Sequence, residues 1–146
     1  MPFRWCICEG IREVECPLNV DVLMHGREQW RPSSTGHLIK RVIPDTGIHV
    51  YRREKMPEQT QVVRPGKTLW IMHPAGEPLP ADTSPSDLQV LLLDGNWQQA
   101  NEMMRRVGSW GRPVRLPMSG ANRYWLRAEV GEGRYCTVEA LIFLLA

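Results

Sequence analysis

The chain has 146 residues, with 18 Lys and Arg against 16 Asp and Glu and a formal charge of +2. That length fits one domain, and 42% apolar with 23% charged residues excludes a mostly disordered chain. The balance is not that of a strongly basic nucleic-acid binder, although it leaves room for a local basic patch. No apolar run approaches the roughly 18 residues of a membrane span. The opening Met1-Pro-Phe-Arg-Trp5 lacks the apolar stretch of a secretory signal, so a cytoplasmic protein off the membrane is expected.

In chain order, Leu18 to His25 reads as a strand with Val20, Val22 and Met24 on one face. Gly26 to Thr35 is polar and contains Pro32, so it reads as a loop. Gly36 to Val42 fits a short helix stopped by Pro44, and Ile48 to Tyr51 a second strand. Residues 52–67 are charged and carry Pro57 and Pro65: a surface excursion with room for one helical turn. Thr68 to Met72 is a third strand, expected to stop at His73-Pro74 before a proline-rich loop that runs to Asp87. Gln89 to Asp94 is a continuous apolar run, as in a parallel strand buried on both faces. Trp97 to Val107 is the clearest helix, with Trp97, Ala100, Met103, Met104 and Val107 at helical spacing, Asn96 as N-cap, and Gly108 and Gly111 ending it. Pro113 to Leu116 is a fifth strand. Thr137 to Leu145 is a helix with almost no polar face, and burial is expected of it.

The alternation of strands and helices predicts a single α/β domain with a mainly parallel sheet flanked by helices. Ligands of such sheets sit beyond the carboxyl ends of the strands. Three places qualify: His25 and its loop, His73-Pro74, and Asp94-Gly-Asn-Trp97.

Asp94 ends a fully apolar strand, where it is a candidate general base or polar hook; an Asp before Gly is more often a turn or capping residue. Trp97 heads an apolar stripe, which fits a core aromatic and also a pocket wall. Cys6, Cys8 and Cys16 suggest zinc, but they do not form the two close pairs of a structural site, and ordinary thiols are the favoured reading. Gly120 to Arg127 joins Tyr124 and Trp125 to Arg123 and Arg127, a combination that can hold phosphate and stack bases.

Taken in order, these segments resemble the DTW-domain family. Asp94-Gly-Asn-Trp97 followed by Gln-Gln-Ala100 matches its namesake segment, with Asn96 in place of the central Thr. His25-Gly-Arg-Glu28, Pro32 to Leu38, Trp70 to Pro74, Leu116-Pro117, Asn122-Arg-Tyr124 with Arg127, and Cys136-Thr-Val-Glu-Ala140 match the flanking motifs. The resemblance covers about residues 6–142, with residues 1–17 as a remnant of a Cys-rich segment. It implies a fold like the SPOUT methyltransferases and a C-terminal knot. Relatives continue past the helix begun by Glu139-Ala140, so that knot is expected to be incomplete here.

It also implies transfer of the 3-amino-3-carboxypropyl group from S-adenosylmethionine to a uridine of tRNA, with methylthioadenosine released. Asp94 and Trp97 would be catalytic. His25, Thr35, Gly95, Leu116, Pro117, Tyr124, Thr137, Glu139 and Ala140 would join them in binding S-adenosylmethionine, and Arg123 and Arg127 would hold RNA. A homodimer through the apolar C-terminal helix is a further expectation. The alternatives are a non-catalytic or truncated relative that binds RNA or cofactor, and a SPOUT-type RNA methyltransferase.

Overall fold

The computed structural model describes residues 6–81, 83–117 and 135–146. Its strands are β1 (Asn19–His25), β2 (Gly47–Tyr51), β3 (Thr68–Pro78), β4 (Leu88–Asp94) and β5 (Arg112–Arg115). They form one sheet in the order β2-β1-β4-β3-β5, and every neighbouring pair is parallel. Among the described residues four α-helices accompany them: α1 (Gly36–Val42), α2 (Gln59–Val62), α3 (Trp97–Val107) and α4 (Thr137–Leu145).

Side chains alternate along a strand, which sorts the apolar residues into two cores. Val20, Val22 and Met24 of β1 join Val90 and Leu92 of β4, Ile39 of α1 and Leu141 of α4 on one face. Leu23, Ile71 and Leu91 join Val62 of α2 and Met103 and Val107 of α3 on the other. Each fully buried Leu, Ile or Val contributes about 1.5–3 kcal/mol relative to exposure, so both helical layers are held mainly by the strands' two-sided hydrophobicity. The result is an α/β domain with an all-parallel five-stranded sheet among the described residues, as the alternation predicts.

Three expectations change. Strand β3 does not stop at His73-Pro74 but reaches Pro78. It does so because β5 accepts it twice: Met72 and Glu77 both pair with Val114 across a register shift. Pro74, which lacks an N–H, falls inside that irregularity, where no ladder bond is required of it. Gly76 packs so close that a Cβ there would lie 2.5 Å from the Val114 nitrogen. Strand β5 begins one residue earlier than expected and ends at Arg115. Helix α4 is not buried all round: Leu141 enters the core, while Ile142 is 63% exposed and Phe143 and Leu145 stand in solvent. Residues 118–134, between β5 and α4, lie outside the described residues, and the expected C-terminal knot is assigned to no described element.

At the amino ends of the strands a polar network locks the sheet. Asp21 of β1 is buried and accepts from Arg64 Nε at 2.9 Å, Gln89 Nε2 at 2.8 Å and His49 Nε2 at 3.1 Å. Arg64 also reaches the Asp45 carboxylate at 2.8 Å and its carbonyl at 2.7 Å. Gln89 spends its other donor hydrogen on the Val62 carbonyl and accepts from the Arg64 backbone N–H. Removing one partner of a buried ion pair leaves an uncompensated charge, at a cost of about 3–5 kcal/mol. Arg64→Ala should therefore destabilise the fold by about 3 kcal/mol, roughly 6–12 °C in melting temperature for a chain of this size. An unchanged melting curve would show that the network carries no stability.

Candidate active site

Two neighbouring strands part company at their carboxyl ends. β1 leads through α1, on one face, to β2. β4 leads through α3, on the other face, past β3 to β5. The crevice between such strands is where α/β sheets hold ligands. Met24 of β1 is paired there with Asp94 of β4.

Asp94 is 1% exposed. Its carboxylate is held from both sides: Ser34 Oγ donates to Oδ2 at 2.8 Å, and Thr137 Oγ1 to Oδ1 at 2.6 Å. Ser34 precedes α1 and Thr137 opens α4, so Asp94 gathers two helix starts at one strand end. Gly36 lacks the Cβ that would otherwise sit 2.8 Å from Asp94 Oδ2 and 2.9 Å from Met24 Cε. Only a glycine lets α1 begin this close to the carboxylate. A carboxylate has about four lone-pair sites, so two internal donors leave Asp94 acceptor capacity for a ligand.

On the other face of the same edge, Trp97 stacks on His73, with ring centroids 5.6 Å apart and planes 19° from parallel. His73 Nδ1 accepts from the Ala75 N–H at 3.1 Å, which places the ring proton on Nε2, 3.0 Å from Asn101 Oδ1. Burial pushes the His73 pKa below its usual value, so the stacked imidazole is neutral. Helix α3 is fixed at its start by a reciprocal cap: the Gln99 N–H donates to Asn96 Oδ1 at 2.9 Å and Gln99 Oε1 accepts from the Asn96 N–H at 2.8 Å. Asn96 is the N-cap that the sequence predicts.

The family model of the DTW domain matches residues 1–146, the whole chain. The chain belongs to the DTW-domain family. No solved structure gives a significant match to it. Family membership is consistent with a tRNA-modifying function. In this DTW domain the namesake Asp94 and Trp97 serve the two faces of one strand end. Asp94 faces α1 and α4. Trp97, partly buried, belongs to neither apolar core.

The other predicted residues fall in three groups. Thr35, Gly95 and Thr137 lie at the Asp94 edge. Thr35 is buried, and its carbonyl accepts the first α1 bonds. Leu116, just past β5, packs against the core, while Pro117 is exposed. Glu139 Oε2 accepts from the Cys136 N–H at 3.0 Å and so caps α4, with Ala140 one residue on. His25 stands apart from Asp94, on the α3 face. Its ring meets Tyr51 at 5.7 Å, and Tyr51 donates to Glu102. Arg53, and then Tyr51, hold the Glu102 carboxyl down at about 2. Tyr124, Arg123 and Arg127 lie outside the described residues. Cys6 and Cys8 are exposed and Cys16 is partly buried. Among the described residues no group of three or more His, Cys, Asp or Glu side chains could hold a metal ion, and no helix is long and apolar enough to cross a membrane.

Sequence reasoning did not single out Ser34, Gly36 or Asn101 as site residues. Ser-Ser-Thr-Gly before a helix is a start signal, but nothing local says that the hydroxyl turns to a carboxylate 60 residues away. An open depression of about 660 Å³ lies between the β3 extension and β5, lined by Ala75, Gly76, Glu77, Gly111, Arg112 and Pro113. It adjoins the exposed Arg112–Glu77 pair, so the buried carboxylate marks the better candidate.

The stacked histidine gives a pH signature. With its pKa below the usual 6.5 in the fold, the unfolded chain takes up a proton first as pH falls. Stability is therefore lost from about pH 6.5 downward, until the folded-state pKa is passed. His73→Phe keeps the stack and removes this share, so its melting temperature should drop less than the parent's between about pH 7.5 and 5.5. An equal drop would show that His73 titrates freely in the fold.

Proposed function

We propose that this DTW-domain protein transfers the 3-amino-3-carboxypropyl group of S-adenosylmethionine to a uridine in tRNA. The observation that carries the reading is the buried Asp94 carboxylate, fixed by two hydroxyls at the strand switch point, three residues before a stacked tryptophan. S-adenosylmethionine would supply an electrophilic γ-carbon and leave as methylthioadenosine.

The residues present suit such a ligand. Asp94 has spare acceptor capacity for an ammonium group or for the ring proton that the uridine nitrogen must lose. The Trp97 ring, stacked on His73, supplies an apolar, aromatic wall three residues from the carboxylate. Gly36 lets the start of α1 pack directly against the carboxylate. In this reading Trp97 packs the methionine chain so that the γ-carbon and not the methyl faces the nucleophile, and selectivity is a matter of positioning. Leu116, Pro117, Tyr124, Thr137, Glu139 and Ala140 line the adenosine side, His25 and Thr35 close the other side, Gly95 lies beside Asp94, and Arg123 and Arg127 hold RNA.

Calorimetry with S-adenosylmethionine tests the site. Trp97→Ala should weaken binding at least tenfold, about 1.4 kcal/mol; unchanged binding would remove Trp97 from the pocket. Asp94→Asn separates two roles: lost binding identifies a hook, whereas retained binding with lost transfer identifies a base. Binding without transfer by the unaltered chain would make it a non-catalytic relative.

The same proposal seats a second copy on Ile142, Phe143 and Leu145 of α4, which are exposed. Sedimentation at micromolar concentration should give a dimer that Phe143→Glu dissociates. A monomer at every concentration would remove the dimer.

A further inference from the structure

The most exposed large apolar side chain on the described surface is Trp30, at 82%. It does not sit on a loose strand of chain. Successive turns close from the Glu28 N–H to the His25 carbonyl at 2.8 Å, from Arg31 to Glu28 at 3.0 Å and from Ser34 to Arg31 at 3.0 Å. Glu28 is fully buried beneath the loop and takes Arg31 Nη1 at 2.9 Å. Gln29 is held at both ends: its carbonyl meets His37 Nε2 at 3.0 Å, and its Oε1 accepts from Arg52 Nη2 at 2.9 Å. The residues on either side of Trp30 are therefore clamped while its indole points to solvent.

The surroundings are cationic. Arg27, Arg31, Arg52, Arg53 and Lys55 are exposed around the loop and the end of β2. Three carboxylates stand against them: Glu28, Glu54 and Glu102. Glu28 is buried under Arg31, and Glu102 is bound by Arg53. That leaves a positive excess centred on Arg27 and Arg52. An exposed aromatic ring among guanidinium groups matches the chemistry of an unpaired nucleic-acid base and its phosphates. A lipid surface or an apolar partner helix would call for several apolar side chains together, and Trp30 is single.

Position ties the loop to the site. Ser34, which holds Asp94, is four residues from Trp30. Four residues span at most about 14 Å even when fully extended. A base on Trp30 and a second base at the Asp94 edge can therefore belong to one RNA loop.

We propose that residues 26–35 form an RNA-docking platform in which Trp30 stacks an unpaired base beside the reacting uridine while Arg27 and Arg52 take phosphates. The choice of RNA as partner rests on the function proposed above. The platform itself rests on the exposed indole, the braced loop and the charge around it.

The test is binding of an unmodified tRNA transcript to the full chain, read by fluorescence anisotropy across a salt series. Melting curves confirm that each variant is folded. Trp30→Ala should weaken binding by roughly 5- to 160-fold, the range for one stacked base, and Trp30→Phe should recover most of it. Arg27→Ala should lower the slope of log K against log salt by about 0.7–0.9. Two further results would also support the platform: S-adenosylmethionine affinity that is the same in Trp30→Ala as in the parent, and lost RNA binding even where no group transfer is found. The second of these would overturn the transferase reading alone. Parent-like tRNA binding and transfer by Trp30→Ala would overturn the platform and leave that reading standing. A parent chain that binds no tRNA, or a Trp30→Ala variant that changes only the oligomeric state, would also overturn the platform.

Discussion

A carboxylate removed from water must be met by donors, or its desolvation destabilises the fold. Asp94 meets that constraint with two hydroxyls, from Ser34 and Thr137, which lie 60 and 43 residues away in the chain. Much else follows from this arrangement. It brings the starts of α1 and α4 to the end of β4. It requires glycine at position 36. It also holds the exit of the 26–35 loop at the same edge, beside the point where β1 and β4 diverge.

The two ends of the sheet use buried polar groups differently. At the amino end, Asp21, Arg64, Gln89 and His49 satisfy one another, and both donor hydrogens of Gln89 are spent. Such a closed network fixes strand positions and leaves nothing to offer a ligand. At the carboxyl end the bonding is incomplete by design of the edge: Asp94 is oriented but not saturated, and the Trp97 ring is held against His73. A rigid base below and spare bonding capacity above is the combination a binding site needs.

Much of this was legible in the sequence. A continuous apolar run announced β4, because a strand covered by helices on both faces has no polar side, and the alternation of Val20, Val22 and Met24 announced β1. The Asn96 cap and the spacing from Trp97 to Val107 announced α3. What escaped was non-local. The β3 extension exists because β5 pairs with it beyond a register shift, and prolines 74 and 78 argued against a strand from within their own neighbourhood. Asp94 looked like a turn residue because its partners are far along the chain. Trp97 looked like core because helical spacing records which residues share a face and not whether a histidine from another strand covers it. The hydrophobicity of α4 gave its tendency to be covered without giving the cover. Arg123, Tyr124 and Arg127 fall outside the described residues, so the family resemblance alone carries them.

In the proposed function Asp94 and Trp97 organise aminocarboxypropyl transfer to RNA. The most direct measurement is a two-label transfer assay on bulk tRNA that lacks the modification, with one S-adenosylmethionine sample labelled in the carboxyl group and another in the methyl group. Carboxyl label in the RNA, with methylthioadenosine released and no methyl label, is the expected result. Methyl label alone would contradict it and assign the site to methyl transfer; neither label would contradict it and leave a binding protein.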